Sequence, residues 1–120
     1  VGLKNTDQIL ESYPFELSGG MCQRVMVAMG LLAHAHVLIA DEPTSSLDLT
    51  TQAAILEELM RLKNEGLAVV LITHDLGVVA QMADDVYVIK DGKIVDSGTV
   101  YEVFQSPKHA YTKSLLDAIF

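Results

Sequence analysis

The chain has one cysteine, Cys22, among its 120 residues. A single thiol excludes an internal disulfide framework and fits a reducing compartment. Cys22 falls inside an apolar-periodic stretch and reads as a packing or surface residue, not a nucleophile. Positive charge is equally scarce, with 8 Lys and Arg against 16 Asp and Glu and a formal charge of −8. A dedicated DNA or RNA surface would show a basic patch or stripe, so nucleic acid is not an expected partner. No apolar run approaches the roughly 20 residues needed to cross a bilayer. The opening VGLKNTDQ has no signal-peptide character. Repeats, low-complexity segments and linkers are missing, and Val1 opens the chain without an initiator methionine, as a fragment would.

What is present suffices for one compact unit, since 50% of the residues are hydrophobic. HVLIAD, residues 36–41, and LAVVLITHD, residues 67–75, are short continuous apolar runs ending in polar residues, as buried parallel strands do. Between them TQAAILEELMRLKNEG carries Ile55, Leu56, Leu59 and Leu62 at helical spacing, with Gly66 as a stop. DLGVVAQMA reads as a short helix and DVYVIK as a strand. Asp91-Gly92 turns that strand into KIVDSG, and two short helices parted by Pro107 close the chain. Strands alternating with helices indicate an α/β fold in which ligands gather at the carboxyl ends of the strands. Asp41, Glu42, Thr73 and His74 fall at those ends.

Three motifs carry chemistry. In FELSGGMCQR, Ser18 and Gly19-Gly20 precede a helical pattern running through Met21, Val25, Met29 and Leu32. A turn at a helix N-terminus offers unpaired amides and a favourable dipole to an anion, and Ser18 is a good N-cap. Taken alone, the turn reads better as an ordinary capped loop. In LIADEPTSSLD, Asp41 can hold Mg²⁺ through water, because that ion prefers hard oxygen ligands and keeps part of its shell. Glu42 leaves the strand in another direction and can address a water beyond a phosphate. Pro43 fixes the backbone after the acids, and Asp48 lies in the following loop. His74 ends the second strand. His34 and His36 read as solvated loop residues, two ligands being too few for a specific metal site. His109 reads as a surface residue.

In order, LSGGM, LIADEPTSSLD and ITHD resemble the later nucleotide-site motifs of the ATP-binding-cassette (ABC) ATPases. YPFELSGGMCQRVMVAM, ITHDLGVVAQMADDVYVI, DGKIVDSG and SPKHAYTKSLL are similar to the peptide and nickel importer branch. The resemblance implies a partial P-loop NTPase fold: a mostly parallel sheet with flanking helices, a C-terminal β-hairpin and helices. The chain would be the C-terminal part of one such domain, with the signature turn and helix at about 13–34. The strand, acid and switch core would span 36–98, and C-terminal helices 99–120. By that resemblance Ser18, Gly19 and Gly20 contact the γ-phosphate of ATP held by a second, head-to-tail ATPase subunit. Asp41 binds Mg²⁺ through water, Glu42 polarises the attacking water, Asp48 belongs to the loop coupling the two sites, and His74 is the switch residue.

The implied whole is the ATPase subunit of a bacterial peptide or nickel importer. It would lie peripherally on the cytoplasmic face of the inner membrane, against transmembrane permease subunits and, indirectly, an extracytoplasmic solute-binding protein. The alternative is a soluble cassette ATPase of DNA repair or translation. Such families insert coiled coils or zinc modules, and neither occurs here. Phe15, Cys22 and the HAYT of the tail depart from commoner branch residues and blur the solute assignment. The sequence contains no GxxxxGK[ST] phosphate loop. By itself, therefore, the 120-residue chain is expected to be inactive towards ATP and to fold poorly.

Overall fold

The computed structural model describes residues 2–32, 35–45 and 47–118. In it the chain forms two units, Val1–Ile72 and Thr73–Phe120. The first unit opens with α1 (Thr6–Glu11), a short helix with no apolar periodicity to announce it in the sequence. A single 3-10 turn, Pro14–Glu16, follows, with the Glu16 carboxylate accepting the Tyr13 amide at 2.8 Å. Tyr13 and Phe15 stack on one another with ring centroids 5.4 Å apart. Helix α2 (Gly19–Leu32) then forms where the periodicity places it, yet Met26, Met29 and Leu32 on it are exposed.

Strands β1 (Val37–Asp41) and β2 (Ala68–Ile72) pair in parallel, Val37 opposite Ala68 through to Asp41 opposite Ile72. Helix α3 (Leu49–Asn64) is the crossover between them. Its buried face is Ile55, Leu59 and Leu62, the i, i+4, i+7 stripe of an amphipathic helix. Each such side chain contributes roughly 1.5–3 kcal/mol when removed from water. The expectation of buried strands is not met. Both strands alternate between exposed and half-buried residues, with Ile39 67% and Val70 48% exposed on one face. Ile39 and Val70 are paired across the ladder and so share that face.

Gly66 ends α3 as its sequence position suggests. With φ of 97° it donates its amide to the Lys63 carbonyl at 3.0 Å, and Leu67 donates to the Leu62 carbonyl at 3.1 Å. Those two bonds satisfy carbonyls that the helix end would leave orphaned.

The second unit begins with α4 (Leu76–Met82), capped by the Asp75 carboxylate on the amides of Gly77 and Val78. Strands β3 (Asp85–Lys90) and β4 (Lys93–Thr99) form an antiparallel hairpin, a separate two-stranded sheet from β1–β2. Asp91 and Gly92, with φ of 49° and 73°, form the two-residue turn that matches strand twist. The register shifts between Val88 and Ile89, leaving Val95 as an extra residue on β4. Ile94 and Asp96 would share a face in a regular strand. The bulge separates them, so Ile94 is 61% exposed and Asp96 only 5%.

Helices α5 (Val100–Gln105) and α6 (Ala110–Asp117) complete the unit as the tail sequence indicates. Helix α5 starts with a capping box in which Thr99 and Glu102 exchange side-chain and amide bonds. Helix α6 starts at His109, whose Nδ1 accepts the Tyr111 amide at 3.1 Å. His109 is therefore a capping residue and half-buried, a correction to its reading as a surface histidine. The buried Asp96 carboxylate accepts the amides of Lys108 at 2.8 Å, His109 at 3.1 Å and its neighbour Ser97 at 3.1 Å. These bonds, that from His109 foremost, hold its pKa below the ordinary value.

Gly66 makes a sharp test of the first unit. A Cβ there meets nothing within 4 Å, so replacement by alanine brings backbone strain alone. Gly66→Ala should destabilise the protein by about 1–2 kcal/mol, the cost of a left-handed L-residue. An unchanged denaturant midpoint would show that the helix end relaxes into another conformation.

Candidate functional site

Six of the seven candidate residues, Ser18, Gly19, Gly20, Asp41, Glu42 and Asp48, belong to the first unit, while His74 belongs to the second. Ser18 immediately precedes α2 and serves as its cap. Its hydroxyl oxygen accepts the Met21 amide at 3.3 Å, and its carbonyl accepts the Cys22 amide at 2.9 Å. A hydroxyl accepting in this way retains its proton for donation. Gly19 and Gly20 form the first turn of the helix, not a loop ahead of it. The amides of a first helical turn have no partner within the helix. Cys22 faces away from any such role, its Sγ lying 3.4 Å from the Pro14 carbonyl.

Asp41 ends β1 opposite Ile72 and is exposed. Glu42 extends the ladder by one bond, its amide donating to the Ile72 carbonyl at 2.8 Å. Its φ is then 45°, in the left-handed region that a residue with a Cβ rarely enters. Such a conformation costs on the order of 1–3 kcal/mol and persists only when surroundings enforce it. Here the Glu42 carbonyl accepts both the Ser45 amide at 3.1 Å and the Ser45 hydroxyl at 2.9 Å. Two carboxylates thus sit side by side, Asp41 exposed at the end of the strand and Glu42 on a backbone bent out of it.

The loop that follows is pinned at both ends. Thr44 is buried, and its carbonyl accepts the Gln52 side-chain amide at 3.0 Å. Asp48 caps α3, with Oδ1 accepting the Thr51 amide at 3.0 Å and Oδ2 the Thr51 hydroxyl at 2.7 Å. The Thr51 hydroxyl first, then its amide, holds the Asp48 pKa below the ordinary value. In the sequence Asp48 reads as a loop residue; in the structure it is the cap of α3. Its signal was available in DLTT, an acid followed three residues later by a β-branched hydroxyl at a helix start.

His74 is exposed and stands between β2 and α4. The neighbouring Thr73 hydroxyl accepts the Asp75 amide at 3.1 Å, bracing the turn that carries the histidine. His36 is exposed at the start of β1, and His34 lies outside the described residues. Among the described residues no group of three His, Cys, Asp or Glu side chains converges as a metal cage. A lone strand-end carboxylate suits Mg²⁺ instead, which completes its shell with water and phosphate oxygens.

The model of the ABC transporter family matches residues 1–45. The peptidoglycan transport ATP-binding protein YejF of Agrobacterium fabrum is 54% identical over 98% of the chain and 22% of its own length. The oligopeptide transport ATP-binding protein OppD of Lactococcus lactis is 50% identical over 97% of the chain and 35% of its own. The glutathione import ATP-binding protein GsiA of Escherichia coli is 50% identical over 99% of the chain and 19% of its own. The chain thus spans between about a fifth and about a third of the length of these curated relatives. Among solved structures, a dimeric ATP-binding cassette in a post-hydrolysis state with ADP and Pi superposes with a TM-score of 0.65. That structure is 34% identical and covers 72% of this chain, which covers 38% of it.

The Asp48 cap has a definite acid signature. Its folded pKa lies below its unfolded value, near 3.9 for an ordinary aspartate. The ionised cap therefore stabilises the fold fully above that value and loses its contribution as pH falls through the depressed one. Asp48→Asn keeps an oxygen acceptor without the charge. Denaturation midpoints followed from about pH 5 to about pH 2 should fall less steeply for this variant than for the parent. Parallel curves would show that Asp48 binds its proton equally in both states.

Proposed function

Because this chain belongs to the ABC transporter ATP-binding family, we propose that it is part of the ATPase subunit of a bacterial solute importer. The observation that carries the proposal is the Asp41–Glu42 step at the end of β1. The backbone turns into a strained conformation at the residue whose carboxylate must reach a water. In the proposed reaction water attacks the γ-phosphorus of ATP, its proton passes to Glu42, and the bond to the ADP oxygen breaks. Asp41 would hold Mg²⁺ through its water shell. When bound, that ion neutralises charge building on the phosphate oxygens. His74 contacts the γ-phosphate as the switch residue.

The signature turn serves ATP held by a second cassette packed head to tail. Ser18 donates its hydroxyl proton, and the Gly19 and Gly20 amides supply backbone donors without a side chain to hold the phosphate away. Asp48, in the loop between the acids and α3, couples the two sites. The solved dimeric cassette, bound to ADP and Pi after hydrolysis, supports this arrangement. Catalysis of this kind depends on positioning and charge stabilisation.

Of the two solute classes implied by the sequence, peptide-type compounds are favoured. The three relatives are named for peptidoglycan, oligopeptide and glutathione transport, and none of them for nickel. Solute choice would then rest with permease subunits and a solute-binding protein. The subunit would sit peripherally on the cytoplasmic face of the membrane. No helix among the described residues is long and apolar enough to cross it.

Glu42→Gln in the full-length subunit should abolish turnover while ATP still binds, because an amide cannot accept the water's proton. Hydrolysis at the parental rate would remove Glu42 from the role of base. Ser18→Arg should block hydrolysis in the opposite site of a mixed dimer that carries one altered cassette. A defect confined to the altered cassette's own site would overturn the head-to-tail assignment.

A further inference from the structure

We propose that Thr51 is a positioning residue that sets the signature turn against the Asp48 loop; this rests on the ATPase reading above. The first turn of α2 and the first turn of α3 approach each other closely. A Cβ added at Gly20 would stand 2.5 Å from Thr51 Cγ2, against 3.9 Å between a Cβ at Gly19 and Leu47 Cδ2. Carbon atoms settle at about 3.5–4.0 Å, so an alanine at position 20 must open the joint by about 1 Å. At position 19 no such movement is needed.

Thr51 cannot easily step aside. Its hydroxyl is bonded to Asp48 Oδ2 at 2.7 Å and its amide to Oδ1 at 3.0 Å. A β-branched side chain has few rotamers in a helix, so rotating the methyl away from Gly20 breaks the bond to Asp48. One side chain therefore has two contacts with different duties. Its methyl defines how near the signature turn lies, and its hydroxyl fixes the carboxylate at the end of the coupling loop. The glycine at position 20 then has a requirement inside its own chain, in addition to any approach of a phosphate.

Displacing a catalytic turn by about 1 Å can cost on the order of a hundredfold in rate. In the full-length subunit, Gly20→Ala should lower kcat by at least about that factor, and adding Thr51→Ser should restore the part of the loss that comes from the Thr51 contact. Serine removes the methyl and keeps the hydroxyl. Alone, Thr51→Ser, which loses the methyl spacer and keeps the Asp48 bond, should lower kcat by less than Gly20→Ala does. Thr51→Val keeps the shape but loses the Asp48 bond, and should lower kcat about tenfold with the ATP Kd of the monomeric subunit unchanged. This variant also carries the test if Gly20→Ala does not fold. A Gly20→Ala defect that Thr51→Ser leaves untouched, or parental kcat in Thr51→Val, overturns the proposal while the ATPase reading stands. A parent subunit without ATP turnover overturns both.

Discussion

The amide of Glu42 donates to the carbonyl of Ile72, one residue past the last pair of the parallel ladder. Much of the first unit's chemistry follows from that bond. It ties the exit of β1 to the end of β2, so the two acids emerge at a fixed edge. Beyond it the chain cannot continue as strand, because φ at Glu42 is already 45° and Pro43 follows. The Ser45 amide and hydroxyl then clamp the Glu42 carbonyl from the loop side. The strain is held between a ladder bond on one side and a tight turn on the other.

A second constraint acts where two helices begin. The Gly20–Thr51 approach and the Thr51–Asp48 bonds join the start of α2 to the start of α3. Each helix thus contributes its least satisfied end to one place. The amides of the first turns are partly capped by Ser18 and Asp48, whose side chains use oxygen acceptors a few residues ahead of the donors. The caps are local, and both can be read as sequence spacing. The approach between them is a tertiary fact with no periodic signature.

Much of the fold was legible in the sequence. The α2 and α3 helices, both strand pairs, the Asp91-Gly92 turn and the Gly66 stop each have a local cause: period, turn chemistry or backbone freedom. Helix α1 had no such cue. Burial was the main failure, since apolar runs such as VLIA suggest two covered faces whereas β1 and β2 are exposed on one. Likewise Met29 and Leu32 lie at core spacing on α2 and face solvent. Period specifies which residues share a face, and only packing specifies what meets that face. At the site, Ser18 and the acid pair were visible as motifs. Thr51 was not, because the close approach it makes is to a glycine 31 positions earlier in the chain. His109 was misread for a similar reason: its ring caps α6, and its amide answers a buried acid in the hairpin.

That buried acid has a consequence for how the second unit opens. Asp96 lies on β4, yet two of its amide donors, Lys108 and His109, lie beyond α5. A helix at the edge of a unit ordinarily frays one turn at a time, with little cost to what remains. Here, peeling α6 away as far as residue 108 would strip donors from a carboxylate that is 5% exposed. An anion left in that state must be rehydrated or protonated, and either requires the hairpin around it to loosen. The C-terminal helix and the hairpin are therefore bound into one cooperative step, and the slow-exchanging amides of this unit should include those of Lys108 and His109 alongside those of the hairpin ladder.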